Sequence, residues 1–309
     1  MKFLILGASG FVGKHTFEYL QSKGYAVVGT QSQNKLPGLV SFNLLYDNID
    51  DKIQKCLDKL HDSSSSLSEE VYAVIFSFVT QIDLCFQEKE ISRTINVDKI
   101  IRLIATLKGQ NIKIVFMSSS FVFDGYDGYY SEDHLLNPIC EYGRHKADVE
   151  RYIKEYHPKS LILRLDKIVG DNLLEKHLFS EWYKFIQEKK EIQCIEGQLF
   201  SSTYVDDIPK AILLACQNKL QGVFHIANTE FFTREELARQ FILNCGTKWN
   251  IKTMSQQQLG FLDFRPLKTY LDSTKFVEAT GMTFTPMRKV FDRFFQKIYS
   301  SSKSVPVIE

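Results

Sequence analysis

The 309-residue sequence is short of several things, and each shortage removes a class of protein. No apolar run approaches the roughly 18 residues that a membrane-spanning helix requires; Val71 to Val79 comes nearest. The first apolar run, Phe3-Leu4-Ile5-Leu6, meets Gly7 after four residues, too few for a signal-peptide core. The expectation is a cytoplasmic protein with no membrane association. Charge of one sign is not in excess: 38 Lys and Arg stand against 37 Asp and Glu, net +1. That balance argues against a nucleic-acid partner held by a basic surface. No pair of cysteines has the CxxC spacing; Cys56, Cys85, Cys140, Cys194, Cys216 and Cys245 are scattered. A disulfide framework or zinc site is not expected, and no metal is assigned.

What remains is an ordinary globular composition, 44% hydrophobic and 24% charged, in a chain long enough for one large or two intimately packed units. In the first half, short runs rich in β-branched and aromatic residues alternate with amphipathic stretches. Lys2–Leu6, Tyr25–Gly29, Val71–Ser77, Ile112–Ser118 and Ser160–Leu165 read as buried parallel strands. Helical faces lie between them: Val12, Phe17 and Leu20; Ile49, Ile53, Cys56, Leu57 and Leu60; Ile95 through Leu107. This alternation predicts an α/β fold with a doubly wound parallel sheet. The second half reads as helices Phe179–Gln187, Ile208–Ala215 and Glu235–Asn244 with short strands such as Val223–Ile226. The division expected is 1–165 for the parallel-sheet domain and 166–299 for a smaller α/β lobe, with some segments returning to the first sheet. Residues 300–309 read as a flexible Ser/Lys/Pro-rich tail, and Asp62–Glu70, with four serines in a row, as a solvated loop.

Gly7-Ala8-Ser9-Gly10-Phe11-Val12-Gly13 follows the first strand and opens the first helix. Glycines let the backbone turn tightly and approach a pyrophosphate, which the amide groups of the helix start then face. Strand before and helix after is the context this reading requires. The spacing is GxxGxxG rather than GxGxxG. An acid about 20 residues on would accept from a free ribose 2′-hydroxyl. None occurs between Gly24 and Tyr46, where the second strand ends in Gly29-Thr30-Gln31-Ser32-Gln33-Asn34-Lys35. Hydroxyls, amides and one ammonium suit a 2′-phosphate, so NADP(H) is favoured over NAD(H).

Tyr142 and Lys146 are four apart and share a helix face. An ammonium beside a phenol lowers its pKa from about 10 toward neutrality and fits it for proton transfer. Upstream, Met117-Ser118-Ser119-Ser120 ends a strand, where ligands of such sheets sit. A Ser119 hydroxyl there can hydrogen-bond an oxygen whose charge changes. His145 reads as a surface residue, His225 as a packed strand residue, and Asp206-Asp207 as a cap for the helix from Ile208.

Together, Gly7–Gly13, the Ser119/Tyr142/Lys146 trio and the run Ser119-Ser120-Phe121-Val122-Phe123-Asp124-Gly125 resemble the extended short-chain dehydrogenase/reductases. The dTDP-4-dehydrorhamnose reductase branch is the most similar, with its Ser-Thr-Asp-Tyr-Val-Phe-Asp-Gly stretch and Tyr-Gly-x-x-Lys helix. Further matches are Thr80–Cys85, Asn96, Leu163-Arg164 through Val169-Gly170, Ser202–Asp207, and Arg265-Pro266 with Leu271-Asp272; coverage is roughly residues 1–285. The resemblance implies a Rossmann-type fold and an NADPH-dependent reduction of a nucleotide-linked 4-keto-6-deoxy sugar, in a protein compatible with homodimerisation. It implies cofactor contacts at Gly7, Ser9, Gly10, Phe11, Val12, Gly13, Thr30, Ser32, Lys35, Asn43, Leu44, Ser77, Phe78, Val79, Tyr142 and Lys146. Substrate contacts are implied at Thr80, Ser119, Ser120, Phe121, Val169, Tyr204 and Arg265, the last against the diphosphate. Ser119 replaces a Thr and keeps the hydroxyl, whereas Ser120 replaces an Asp. The Asp-Glu pair of 4,6-dehydratases is Ser120-Phe121 here, and Phe121 stands near the exchanging Cys of epimerising reductases, so both chemistries are disfavoured. A sugar-nucleotide epimerase is thus an alternative with less support. The rival of another class is a non-catalytic, dinucleotide-binding regulatory subunit of a partner enzyme, as in methionine adenosyltransferase.

Overall fold

The computed structural model describes residues 1–32, 35–62 and 70–301. In chain order the elements are β1 (Lys2–Leu6), α1 (Phe11–Ser22), β2 (Ala26–Gln31), β3 (Val40–Ser41), α2 (Ile49–Asp62), β4 (Val71–Ile75), α3 (Ile82–Gln87) and α4 (Lys89–Arg93). A π-helical turn (Thr94–Lys99) leads into α5 (Ile100–Gly109), then β5 (Lys113–Ser119), a 3₁₀ turn (Ser120–Val122), α6 (Glu141–Tyr156), β6 (Leu161–Leu165) and β7 (Lys167–Val169). The rest is α7 (Leu178–Gln187), β8 (Ile192–Ile195), β9 (Leu199–Tyr204), α8 (Asp207–Gln217), β10 (Gly222–His225), β11 (Phe231–Thr233), α9 (Arg234–Asn244), β12 (Ile251–Met254), α10 (Thr274–Thr280) and α11 (Met287–Ser301).

Seven parallel strands form the central sheet in the order β10-β6-β5-β4-β1-β2-β3. It is buried on both faces, which is why its strands are almost uniformly apolar. Along β1, Leu4 and Leu6 enter the core shared with α2, α5 and α6, while Phe3 and Ile5 enter the core shared with α1, α8 and α10. The order reverses at β1, between β2 and β4, so a crevice opens at the carboxyl ends of these strands. A third core, rich in Phe179, Trp182, Phe241, Phe291 and Phe294, joins α7, α9 and α11 to the small sheets β11-β9-β7 and β12-β8.

The second half does not divide at one point. β10 pairs with β6 in the central sheet, and Ile208, Ile212 and Phe276 pack in its core, although all lie beyond residue 166. The edge strand β3 was not legible as a strand, being two residues long among Pro, Gly and Asn. The expected tail begins inside α11; residues 302–309 lie outside the described residues, as do 63–69 of the serine-rich segment. Among the described residues, no helix is long and apolar enough to cross a membrane. All six cysteines are free, and no group of three or more His, Cys, Asp or Glu side chains among the described residues could hold a metal.

Candidate active site

A cleft of about 520 Å³ runs along the carboxyl ends of the central strands. Gly7, Gly10, Phe11, Val12 and Gly13 line one end; Ser119, Phe121, Tyr142 and Lys146 line it further along. At the first end, Gly7 has φ +92° and carries the chain out of β1. Its N–H donates to Thr30 Oγ1 (3.0 Å), and Ala8 N–H donates to Thr30 O (2.8 Å), so β2 fixes the loop. A Cβ at position 13 would stand 2.2 Å from Gly7 O, so α1 sits directly against the loop only because residue 13 is Gly. Gly10 has extended backbone and no side chain caps α1, which leaves first-turn N–H groups for an anion.

At the other end, β5 delivers Ser119, whose Oγ accepts from Phe121 N–H (3.2 Å) and starts the 3₁₀ turn. The first turn of α6 presses on that turn: a Cβ at Gly143 would lie 2.1 Å from Phe121 O. This close approach brings Tyr142 to Ser119, with its ring edge-on to Phe78 (5.9 Å) and Phe121 (6.0 Å). The expectation of a lowered phenol pKa is overturned. Burial pushes Tyr142 above the ordinary Tyr range, and a hydrogen bond with Ser119 opposes this only in part. Lys146 does not reverse it: its Nζ donates to Met117 O (2.7 Å), lies 3.5 Å from the Phe78 ring centroid and is 5.9 Å from the centre of the Tyr142 ring. Burial brings Lys146 itself down to about 7. One turn further along α6, Glu150 is buried against Arg164 (2.7 and 2.9 Å) and accepts from Ser118 Oγ (2.6 Å). It thus anchors α6 to the ends of β5 and β6.

The other expected residues divide into those at the cleft and those away from it. Phe78, Thr80 and Ser120 line it. Ser77 packs against Gly7, and Val79 is fixed from behind by Asn96, whose side chain spans the Val79 N–H (2.7 Å) and O (3.0 Å). Asn96 does this from the π-helical turn, a feature common at functional sites. Ser9 is half-buried within the loop; Ser32 and Lys35 are exposed after β2. Thr30 holds Gly7 rather than facing the cleft, Asn43 Oδ1 accepts from Leu45 N–H (2.9 Å), and Leu44 is buried in the core.

Three expected substrate residues are not brought to the cleft. Val169 is fully buried in the third core. Tyr204 is buried too, its hydroxyl donating to Asp171 and Asp206 (2.7 Å each). Arg265 is neither free nor on the surface: it pairs with Asp83 (2.8 Å) and donates to Asp263 O (2.9 Å), its side chain 10% exposed.

Two more expectations fail. His145 is buried, not superficial, because α6 packs on the π-helical turn as well as on the sheet, placing Nδ1 3.3 Å from Asn96 Nδ2. Asp206 occupies the cap position of α8 without capping it. Its backbone is already helical, and its carboxylate serves His15 (2.6 Å) and Tyr204, while Asp207 accepts from Thr285 N–H and Oγ1. His225 is the packed strand residue expected, 3.1 Å from Arg164 Nη1. Sequence reasoning missed Asp166, Lys167, Lys176, Gln198 and Thr269, all of which line the cleft. Only Asp166 and Lys167 carried a signal, as polar residues just past the carboxyl end of a parallel strand.

An open parallel sheet, a glycine loop at its switch point, a Ser at the end of a central strand, and a Tyr and Lys one turn apart on the helix packed against it define the extended short-chain dehydrogenase/reductase class. Within that class the chain belongs to the RmlD substrate binding domain family, whose model matches residues 1–300. One curated relative is the probable low-salt glycan biosynthesis reductase Agl14 of Haloferax volcanii, 24% identical over 244 residues, covering 76% of this chain and 77% of the relative. Another is methionine adenosyltransferase 2 subunit beta of Xenopus laevis, 25% identical over 242 residues, 76% of this chain and 69% of the relative. Among solved structures, the dTDP-4-dehydrorhamnose reductase of Bacillus anthracis in complex with NADP superposes with a TM-score of 0.79 at 23% identity, over 96% of this chain and 100% of that one.

Proposed function

We propose that the chain is an NADPH-dependent reductase of a nucleotide-linked 4-keto-6-deoxy sugar. The observation that carries this reading is the convergence of Ser119, Tyr142 and Lys146 in the same cleft as the Gly7–Gly13 loop. The residues fit the dinucleotide: a Cβ at Gly7 would come within 3.0 Å of Ser77 N and fill the cradle, and the first turn of α1 has no capping side chain. Gly7, Gly10 and the α1 amides would hold the pyrophosphate, Lys146 the nicotinamide ribose, and Ser32 and Lys35 the 2′-phosphate. When bound, the dinucleotide supplies the hydride for C4 of the sugar.

Tyr142 then donates its phenolic proton to the oxygen left on C4. Its burial keeps that proton in place at neutral pH, which is the state an acid needs. The Ser119 hydroxyl holds the carbonyl oxygen beside the phenol and stabilises the charge developing there. Phe78 and Phe121 set their rings edge-on to the phenol and fix its place. Reductase names among the relatives support the reading.

Screening dTDP-, UDP-, GDP- and CDP-linked 4-keto-6-deoxy sugars for NADPH oxidation tests it. Turnover of one of them is expected. Tight NADPH binding with no turnover on any, together with copurification of a partner enzyme, would favour the regulatory-subunit reading that the similarity to the methionine adenosyltransferase subunit supports.

A further inference from the structure

Asp166 follows β6 and precedes β7, so it stands where the chain leaves the central sheet for the second lobe. It lines the cleft with Ser120, Thr269, Gln198 and Lys167, in the polar part of the wall beside Ser119. Three donors converge on its carboxylate: Ser120 Oγ at 2.8 Å, Ser201 N–H at 2.7 Å and the Thr269 hydroxyl. They come from three separate segments, which fixes the carboxylate's place. A carboxylate offers about four acceptor positions, so three donors leave one unfilled.

We infer that Asp166 is a specificity-determining residue that accepts a hydrogen bond from a ring hydroxyl of the sugar. The inference rests on reading the cleft as a sugar-nucleotide site, and it assigns to this chain the part of the substrate next to the reacting carbon. A rigidly held acceptor selects a sugar that presents a hydroxyl there, because a deoxygenated ring would leave the carboxylate's last position unpaired. Burial raises the carboxyl to about 7, so the acceptor is the ionised form that prevails above that value, and the comparison is made at about pH 8.5.

The test compares, by calorimetry, each of dTDP-glucose, UDP-glucose and GDP-mannose with its free nucleoside diphosphate. The ratio of the two affinities is the sugar's contribution. Wild-type protein is expected to show a contribution for at least one nucleotide. Asp166→Asn and Asp166→Ser are expected to cut it by at least roughly tenfold, the lower end for a hydrogen bond to a charged group, with NADPH affinity within about twofold of wild type. Asp166→Ser serves if the Asn amide, opposed to the Ser201 N–H, prevents folding.

A full sugar contribution in either variant that still binds NADPH would overturn the inference. So would a wild-type protein with no sugar contribution on any nucleotide, or loss of NADPH binding in both variants, which would make Asp166 a structural residue only. A contribution that falls as expected in a protein showing no NADPH oxidation would support the role of Asp166 and refute reductase activity alone.

Discussion

Replacing Lys146 by Met should make the ligand-free protein more stable while abolishing its proposed chemistry. Lys146 is 4% exposed, and its amine is brought from 10.5 down to about 7 by burial. Below pH 7 the folded protein holds a buried ammonium whose proton binds far more tightly in the unfolded chain. That separation corresponds to ~5 kcal/mol against the folded state at 1.36 kcal/mol per pK unit. Two features offset it. Nζ lies 3.5 and 4.8 Å from the Phe78 and Phe116 ring centroids, and it donates to Met117 O. The rings are worth ~2 kcal/mol together and the hydrogen bond ~1 kcal/mol, so the substitution gains ~2 kcal/mol. For a chain of this size that is a rise in Tm of about 3 °C at pH 6. The sign follows from proton counting. Between about 7 and 10.5 the unfolded state binds more protons than the folded state, so wild-type stability rises with pH over that window. The advantage of Lys146→Met should therefore shrink steadily and vanish or reverse by about pH 10, where the neutral amine keeps its hydrogen bond and the Met has none. Thermal unfolding by circular dichroism at pH 6, 7, 8, 9 and 10, without dinucleotide, measures it. A Lys146→Met protein less stable than wild type at pH 6, or a gap that does not change with pH, would refute the reasoning.

Tyr142→Phe keeps the ring and its contacts with Phe78 and Phe121 but removes the acid; turnover should fall at least roughly a hundredfold with NADPH affinity unchanged, checked by steady-state kinetics and fluorescence titration. Because burial holds the phenol above its ordinary range, the rate of reduction should show no decline from Tyr142 ionisation between pH 6 and 9; a loss centred near neutrality that disappears in a Tyr142 variant would contradict this. Because Arg265 pairs with Asp83 and donates to Asp263 O instead of lining the cleft, Arg265→Ala should lower Tm and leave NADPH affinity nearly unchanged; an unchanged Tm in thermal unfolding would refute this. NADPH should bind more tightly than NADH, since Ser32 and Lys35 follow β2 with no acid between Gly24 and Tyr46; NADH binding clearly tighter in the same titration would exclude it.

The sequence by itself determined what depends on neighbours along the chain. A parallel sheet buried on both faces needs runs of apolar β-branched and aromatic residues, so β1, β2, β4, β5 and β6 were visible to within two residues. The glycine loop was visible because one turn must both leave a strand and start a helix. The Tyr142–Lys146 pair was visible because a helix places i and i+4 on one face. Tertiary structure decided everything that depends on what packs against what. The helix period could place Lys146 beside Tyr142, but not set the ammonium against Met117 O and Phe78, and so could not show that burial governs both groups. His145 read as exposed because sequence counts one buried face per helix, and α6 has a second neighbour in the π-helical turn. Arg265 and Asp83 are 182 residues apart, Ser120 and Asp166 are 46 apart, and Ser201 arrives from a different sheet. No local pattern encodes such meetings. They exist because β6 runs out of the central sheet into the second lobe beside the cleft, and the hydrogen bonds of one half-buried carboxylate must be found wherever the fold supplies donors.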